Sequence, residues 1–484
     1  MSEKRAIIDI GSNTVRLVIY NGPPRAPVIL LNEKVTARLG RELAETGRLP
    51  DKAMQLALDA LRRYATLIDL AAVTDVQTVA TAAVRDAANG AEFLREIEKV
   101  GLKPRLLSGE EEARTSATGV LAAFPGAEGI AGDLGGGSLE LTRIGNDQCH
   151  EGISLPLGSL RIAELREKGD QAFAETVRAM LKQADWTHGR GSNFYIVGGS
   201  WRALAIYAMT QKSSPLDDPH DFELSARDAA KLCTTLASDG PTIEVPRISS
   251  NRYASLSDAA ALLGALVAAL KPKRVVFSSW GLREGLLHLS LPEAERERHP
   301  MTASVGAFAK RYDVNPQLAE KLVEWIGDAI PETAAVTREL KLAAAMLSLA
   351  SMRIEPNVRA REALDWALGK RWIGMDARSR AMAAVVMFGN MGSSDMTQDL
   401  REFASPDDLE WAGRWGLALR LGRKLTNGSL IALEQSALVR TDGYLGLALD
   451  DLTEPLCNAS ALKNLARLAD RLGLEPRQER LAPA

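Results

Sequence analysis

Cysteine is scarce: three in 484 residues, Cys149, Cys233 and Cys457, far apart and without a CxxC pair. That excludes a disulfide framework and a thiolate zinc site, and makes a reducing, cytoplasmic setting the expectation. Histidine is nearly as rare, five in all and none after His299, so the chain beyond it cannot build a histidine-based metal centre. Excess positive charge is missing too. A formal net charge of −3 argues against a broad basic face for duplex nucleic acid, so a polyanionic ligand would be held by local clusters and backbone amides. No apolar run is long enough to cross a bilayer. The longest, residues 258–270 (DAAALLGALVAAL), reads as a buried helix, and residues 1–5 lead into a strand-like run with no apolar signal segment. No membrane association is expected.

What remains is an ordinary globular composition, 46% apolar and 25% charged, sufficient for two to four domains. Residues 6–20 (AIIDIGSNTVRLVIY) hold two β-rich runs around a GSN turn and predict a hairpin. A strand near 28–31 follows, then helical spacing over 51–70, a strand at 76–80, a helix at 91–100, a short strand at 105–107 and a helix at 110–124. Alternation of this kind indicates an α/β domain. At Gly129 the order begins again: residues 130–144 (IAGDLGGGSLELTRI) repeat strand, Asp, Gly-rich turn, strand. We read an internal duplication with a boundary at residues 124–126, where Pro125-Gly126 breaks the helix. The second half runs through YIVGG at 195–199 and closes with GLREG at 281–285. From about residue 301 helical segments dominate, with β-rich runs at 430–433 and 444–449. The expected domains are therefore 1–124, 125–297 and 298–484.

The strongest chemical feature is the pair of Gly-rich turns. Asp133 precedes Gly135, Gly136, Gly137 and Ser138; Asp9 precedes Gly11, Ser12, Asn13 and Thr14. Missing side chains let backbone N–H groups surround an anion, and two facing turns would clamp a phosphate chain from both sides. The Asp at a strand end is suited to Mg²⁺, a hard cation that takes oxygen donors; Asp133 and Asp9 are both candidates. The loop Ser108-Gly109-Glu110-Glu111-Glu112 opens a helix and could supply the carboxylate that orients an attacking water. Acids there also suit the helix dipole, and spacing alone does not choose among the three. Arg85 and Asn89, in TAAVRDAANG at 81–90, are candidate phosphate contacts. Gly199, in the turn after YIV, is a third glycine site, and Gly158 with Arg161 (LPLGSLR) would add another basic contact.

Together and in this order, DIGSNTVRLVI, TAAVRDAANG, SGEEEA, DLGGGSLEL, LPLGSLR, VGGSWRALA and GLREGLL resemble the exopolyphosphatase/guanosine pentaphosphate phosphohydrolase family, over residues 5–290. The resemblance implies two tandem ribonuclease-H-like (actin-like ATPase) domains and a mostly α-helical, degenerate HD-like third domain with a small β-containing tail. It implies Glu112 as the catalytic carboxylate, Mg²⁺ on Asp133 with Glu140 in support, and phosphate contacts from Asn13, Arg85, Gly136, Gly137 and Ser138. A monovalent cation such as K⁺ is a second candidate ion, and a homodimer is expected. In LKLAAAMLSLASM at 340–352, Ser348-Leu349 stand where the HD domain's His-Asp pair would be. The third domain should then act as scaffold, substrate channel or dimer element. Arg359, Arg361, Lys370, Arg371, Arg378, Arg380, Arg414 and Arg420 form either a groove for a long polyanion or a mixed solvated surface. Trp366, Trp372, Trp411 and Trp415 read as core anchors.

The expected activity is Mg²⁺-dependent release of orthophosphate from the end of inorganic polyphosphate. The alternatives are removal of the 5′-phosphate of guanosine pentaphosphate, an ATP-binding kinase or ATPase, and a non-catalytic polyphosphate or alarmone-binding regulator.

Overall fold

The computed structural model describes residues 4–331, 336–393 and 398–481. The chain forms two compact units: residues 1–214 with 219–298, and residues 215–218 with 299–484.

The first unit contains two mixed sheets of matching topology. In one, β1 (Arg5–Ile10), β2 (Val15–Asn21), β3 (Val28–Val35), β4 (Asp75–Ala80) and β5 (Pro104–Leu106) lie in the order β3-β2-β1-β4-β5. In the other, β6 (Gly129–Leu134), β7 (Leu139–Gly145), β8 (Gln148–Leu155), β9 (Asn193–Val197), β10 (Phe222–Ser225) and β11 (Arg274–Phe277) lie in the order β10-β11-β9-β6-β7-β8. Each begins with an antiparallel meander and continues in parallel strands, β1 beside β4 and β6 beside β9. The repeated strand–turn–strand pattern is thus a repeated sheet, the α/β arrangement expected from the duplication.

Burial follows the periodicity of the sequence. The helix Asp51–Leu70 turns Ala57, Leu61, Tyr64 and Ile68 inward, three or four residues apart, onto Ile8, Ile10 and Leu17 of the first sheet. The apolar helix Leu256–Leu270 is buried on most sides within the second core.

Two helices pack across the chain order. The helix Gly109–Ala123 lies on β6, β7 and β8, with Ala117 and Val120 against Ala131 and Val197. The helix Leu282–Leu289 returns to the first sheet, where Leu286 and Leu287 complete a cluster with Ile7, Val18, Tyr20, Val79 and Leu107. They also pack against each other at glycines. A side-chain carbon at Gly119 would lie 2.1 Å from the Gly281 carbonyl oxygen, and one at Gly285 1.9 Å from that of Thr115. Only hydrogen fits there.

The second unit is mainly helical. The helix Arg338–Ser351, buried almost all round, packs against helices Pro300–Lys310, Pro316–Ile326 and Ala377–Met391, and the last packs on Pro406–Thr426. A three-stranded sheet of β12 (Ser436–Arg440), β13 (Tyr444–Leu449) and β14 (Glu475–Arg480) accompanies them. One β-rich run is corrected: Leu430–Glu434 is a short helix, because the Ser429 hydroxyl accepts from the Ala432 N–H and caps it. Trp366, Trp372, Trp411 and Trp415 are all buried.

Most of this unit's arginines are committed to structural partners. Arg371 and Arg380 pair with Asp218, Arg378 with Asp408, and Arg414 with Glu410. Arg359 and Arg420 donate to backbone carbonyls at helix ends. Among the described residues no helix is long and apolar enough to cross a membrane.

Candidate active site

The two hairpins carry the same turn. Gly11 N–H donates to Thr14 O and Gly135 N–H to Ser138 O, each at 3.0 Å. The turns are in contact: a side chain at Gly136 would lie 2.9 Å from the Asn13 nitrogen, and one at Gly137 2.7 Å from Ser12 Oγ. Gly158 backs onto the second turn, since Ser159 and Leu160 N–H donate to Gly135 O (2.9 Å) and Gly136 O (3.0 Å). Its role is to brace the turn. Arg161 does not line the cleft below.

The hairpins differ in charge. Asp9 faces Arg16 across β1–β2; at the equivalent register Asp133 faces Glu140 across β6–β7. Two carboxylates directly opposite repel. Asp9 is also paired with Arg283 at 3.1 Å, whereas Asp133 accepts from the neutral Ser116 hydroxyl and Glu140 from Ser154 Oγ at 2.9 Å. Burial raises the pKa of Asp133, with Ser116 opposing. Burial and the charge of Glu112 push Glu140 well above the usual carboxylate range.

Geometry separates the three acids of the helix start. Glu110 is exposed, 3.9 Å from Arg114. Glu111 closes a capping box: its Oε2 accepts from Ser108 N–H at 2.8 Å, and Ser108 Oγ accepts from Glu111 N–H at 3.1 Å. Glu112 turns inward, 8% exposed, and lines the cleft. Arg85 donates to it at 3.1 Å and to Leu107 O at 3.0 Å. Burial pushes Glu112 up to about 7; Arg85 opposes this and Asp133 and Asp9 add to it.

These groups border a cleft of about 570 Å³. Its lining includes Gly11 to Thr14, Gly135 to Ser138 and Gly199 together with Asp9, Glu112, Asp133 and Glu140. It also includes seven cationic side chains, Arg16, Lys34, Arg38, Arg41, Arg202, Arg252 and Arg283. The cations come from five separated segments, which is why motif reading passed over them. Arg16, Arg202 and Arg283 lay inside quoted motifs without a role, and the alternation of β2 was the available signal for Arg16. Lys34, Arg38 and Arg41 are exposed while the acids lie deeper. Burial and the charge of Arg283 lower the pKa of both Arg16 and Arg252, so these guanidiniums sit in a field that favours an anion.

Besides Gly158 and Arg161, two further candidates lie outside the lining. Arg85 reaches the site only through Glu112. Asn89 is buried, and its amide clips the backbone of Leu49 from both sides, at 2.8 and 3.0 Å. Nothing of it is left for a phosphate.

Among the described residues no three His, Cys, Asp or Glu side chains are gathered closely enough to hold a metal by themselves. Asp133, partly buried, and Glu140, fully buried, nonetheless offer an all-oxygen donor set held by neutral hydroxyls. That fits Mg²⁺, which keeps waters and takes substrate oxygens beside one or two carboxylates.

A model of the Ppx/GppA phosphatase family matches residues 18–294. The chain belongs to that family. Within the Ppx/GppA family, it is 24% identical over 303 residues to Exopolyphosphatase 1 of Mycobacterium tuberculosis, an alignment covering 58% of this chain and 86% of that one. The solved Aquifex aeolicus family member is 26% identical, with a TM-score of 0.51, covering 62% of this chain and 100% of that one. An exopolyphosphatase from Cytophaga hutchinsonii, 22% identical with a TM-score of 0.52 over 59% of this chain and 97% of its own, shows the same fold. As a Ppx/GppA protein the chain is a phosphatase, and the family match ends before residue 299, where the main part of the second unit begins.

Proposed function

We propose that this phosphatase is an exopolyphosphatase, hydrolysing the terminal phosphoanhydride of inorganic polyphosphate and releasing orthophosphate. The observation that carries the reading is the cleft lining: seven cations and, among the described residues, no aromatic ring. A polymer of phosphates needs charge and backbone donors alone. A guanine base gains most from a flat stacking partner, which disfavours guanosine pentaphosphate as the principal substrate.

In this reading the terminal phosphate lies between the turns at Gly11–Thr14 and Gly135–Ser138, held by backbone N–H groups, Ser12, Asn13 and Ser138. Gly199 and the Arg16, Arg252 and Arg283 guanidiniums take the following phosphates. Phosphoryl transfer asks mainly for positioning and charge neutralisation. Glu112, its carboxylate aimed by Arg85, orients water in line with the scissile bond and accepts its proton. Asp133 and Glu140 would hold Mg²⁺, which supplies neutralisation of the phosphate oxygens. Asp9 keeps its ion pair with Arg283 and sets that side chain toward the substrate.

We further propose that the helical C-terminal region is a metal-free relative of HD domains, supported by Ser348-Leu349 in a buried helix and the absence of histidine after His299. The three unpaired cysteines support a cytoplasmic setting. A homodimer remains the expected assembly. The deciding experiment measures orthophosphate release from long-chain polyphosphate, guanosine pentaphosphate and ATP, with wild-type and Glu112→Gln protein. Preference for the pentaphosphate would replace the substrate, and full activity of the variant would remove the base.

A further inference from the structure

Each turn aspartate is held by a helix, and the two holds differ in kind. Asp9 is held by Arg283, at the start of helix Leu282–Leu289, through a charged contact that neutralises it. Asp133 is held by Ser116, through a hydroxyl that donates to Oδ2 and leaves the negative charge in place. Ser116 is 2% exposed and lies one turn after Glu112 on the helix Gly109–Ala123. Space for the contact comes from Gly281: a side-chain carbon there would lie 3.2 Å from Ser116 Oγ and 3.5 Å from Asp133 Oδ2. Among the described residues no other hydrogen bond or ion pair reaches the Asp133 carboxylate.

We propose that Ser116 is a positioning residue for the metal-binding carboxylate: it occupies Oδ2, presents Oδ1 to the divalent cation, and fixes Asp133 relative to Glu112 on the same helix. This rests on the reading that Asp133 holds Mg²⁺. A carboxylate with both oxygens free rotates and trades one donor for the other. A buried hydroxyl on one oxygen removes that freedom without cancelling the charge the cation needs. Supports of this kind are worth roughly ten- to a hundred-fold in metal affinity.

The test uses Mn²⁺ as the probe, its binding to substrate-free, full-length protein followed by electron paramagnetic resonance, beside the Mg²⁺ dependence of orthophosphate release. Ser116→Ala should weaken Mn²⁺ about ten-fold. It should raise the Mg²⁺ concentration for half-maximal rate by a similar factor, with KM for polyphosphate at saturating Mg²⁺ unchanged. Ser116→Thr, which keeps the hydroxyl, should restore both. Asp133→Asn is the reference. If that variant loses Mn²⁺ while Ser116→Ala binds it as wild type does, Ser116 has no positioning role. Loss in Ser116→Thr equal to that in Ser116→Ala overturns it as well. If Asp133→Asn binds Mn²⁺ normally, the metal assignment itself falls and this inference with it.

Discussion

Asp133 stands directly across the β6–β7 hairpin from Glu140, at the register where the first hairpin sets Asp9 against Arg16. One substitution of charge within a repeated frame makes the two halves unequal. The first hairpin carries its own counter-ion; the second leaves a partly buried and a buried carboxylate facing each other, a cost that a bound cation removes.

Replacing Glu112 by Gln should reduce the rate of orthophosphate release by about 10²–10⁴-fold while polyphosphate binding persists. In wild-type protein the base must be ionised, so kcat should rise with pH to a plateau. Its midpoint belongs at about 7 or lower, since 7 is the value without a cation nearby. A profile flat from the acid limit of the folded enzyme up to about pH 8 would exclude Glu112 as the base.

The same group shapes stability, with the opposite sense. Glu112 ordinarily titrates at 4.5 and in the fold at about 7, so the folded state binds more protons between those values. Metal-free protein should lose stability as pH rises through that window, the loss being complete above it. The shift corresponds to at most ~3 kcal/mol. Glu112→Gln should therefore unfold at higher denaturant concentration than wild type at pH 8, and at the same concentration at pH 4.

Glu111 offers the contrast. Losing its half of the capping box should cost about 1 kcal/mol of stability in Glu111→Ala. Activity per folded molecule should stay unchanged, measured by denaturation and steady-state kinetics together. A large fall in kcat would mean that the helix start moves with the cap.

Arg252, within reach of Gly199 and repelled by Arg283, should act on capture. Arg252→Ala should raise KM for long-chain polyphosphate several-fold, leave kcat within about two-fold, and flatten the dependence of KM on salt. A fall in kcat alone would place it at the reacting phosphate.

Much of the catalytic half is legible in the sequence. Paired Asp-x-Gly turns between β-rich runs can hardly fold other than as hairpins, and their repetition foretold the repeated sheet. The choice among Glu110, Glu111 and Glu112 was not legible from physics, because all three satisfy a helix N-terminus and only packing shows which points inward. Asn89 misled because an amide in a loop before a helix looks alike whether it meets phosphate or clips Leu49. Leu430 to Leu433 misled because four apolar residues carry no period, and a serine cap decided for helix. Strand β14, EPRQER, has no apolar alternation to announce it; its pairing with β13 comes from the tertiary fold.

The helices exchanged between the sheets have a consequence for synthesis. Ile7, Val18, Tyr20, Val79 and Leu107 leave the ribosome early, but Leu286 and Leu287, which cover them, come roughly 180 residues later, on the order of ten to forty seconds at ~5–20 residues per second. For that interval one face of the newborn first sheet is bare. It is the surface on which a nascent-chain chaperone would have most to hold, and a cut between the halves would strip each sheet of a helix that covers it.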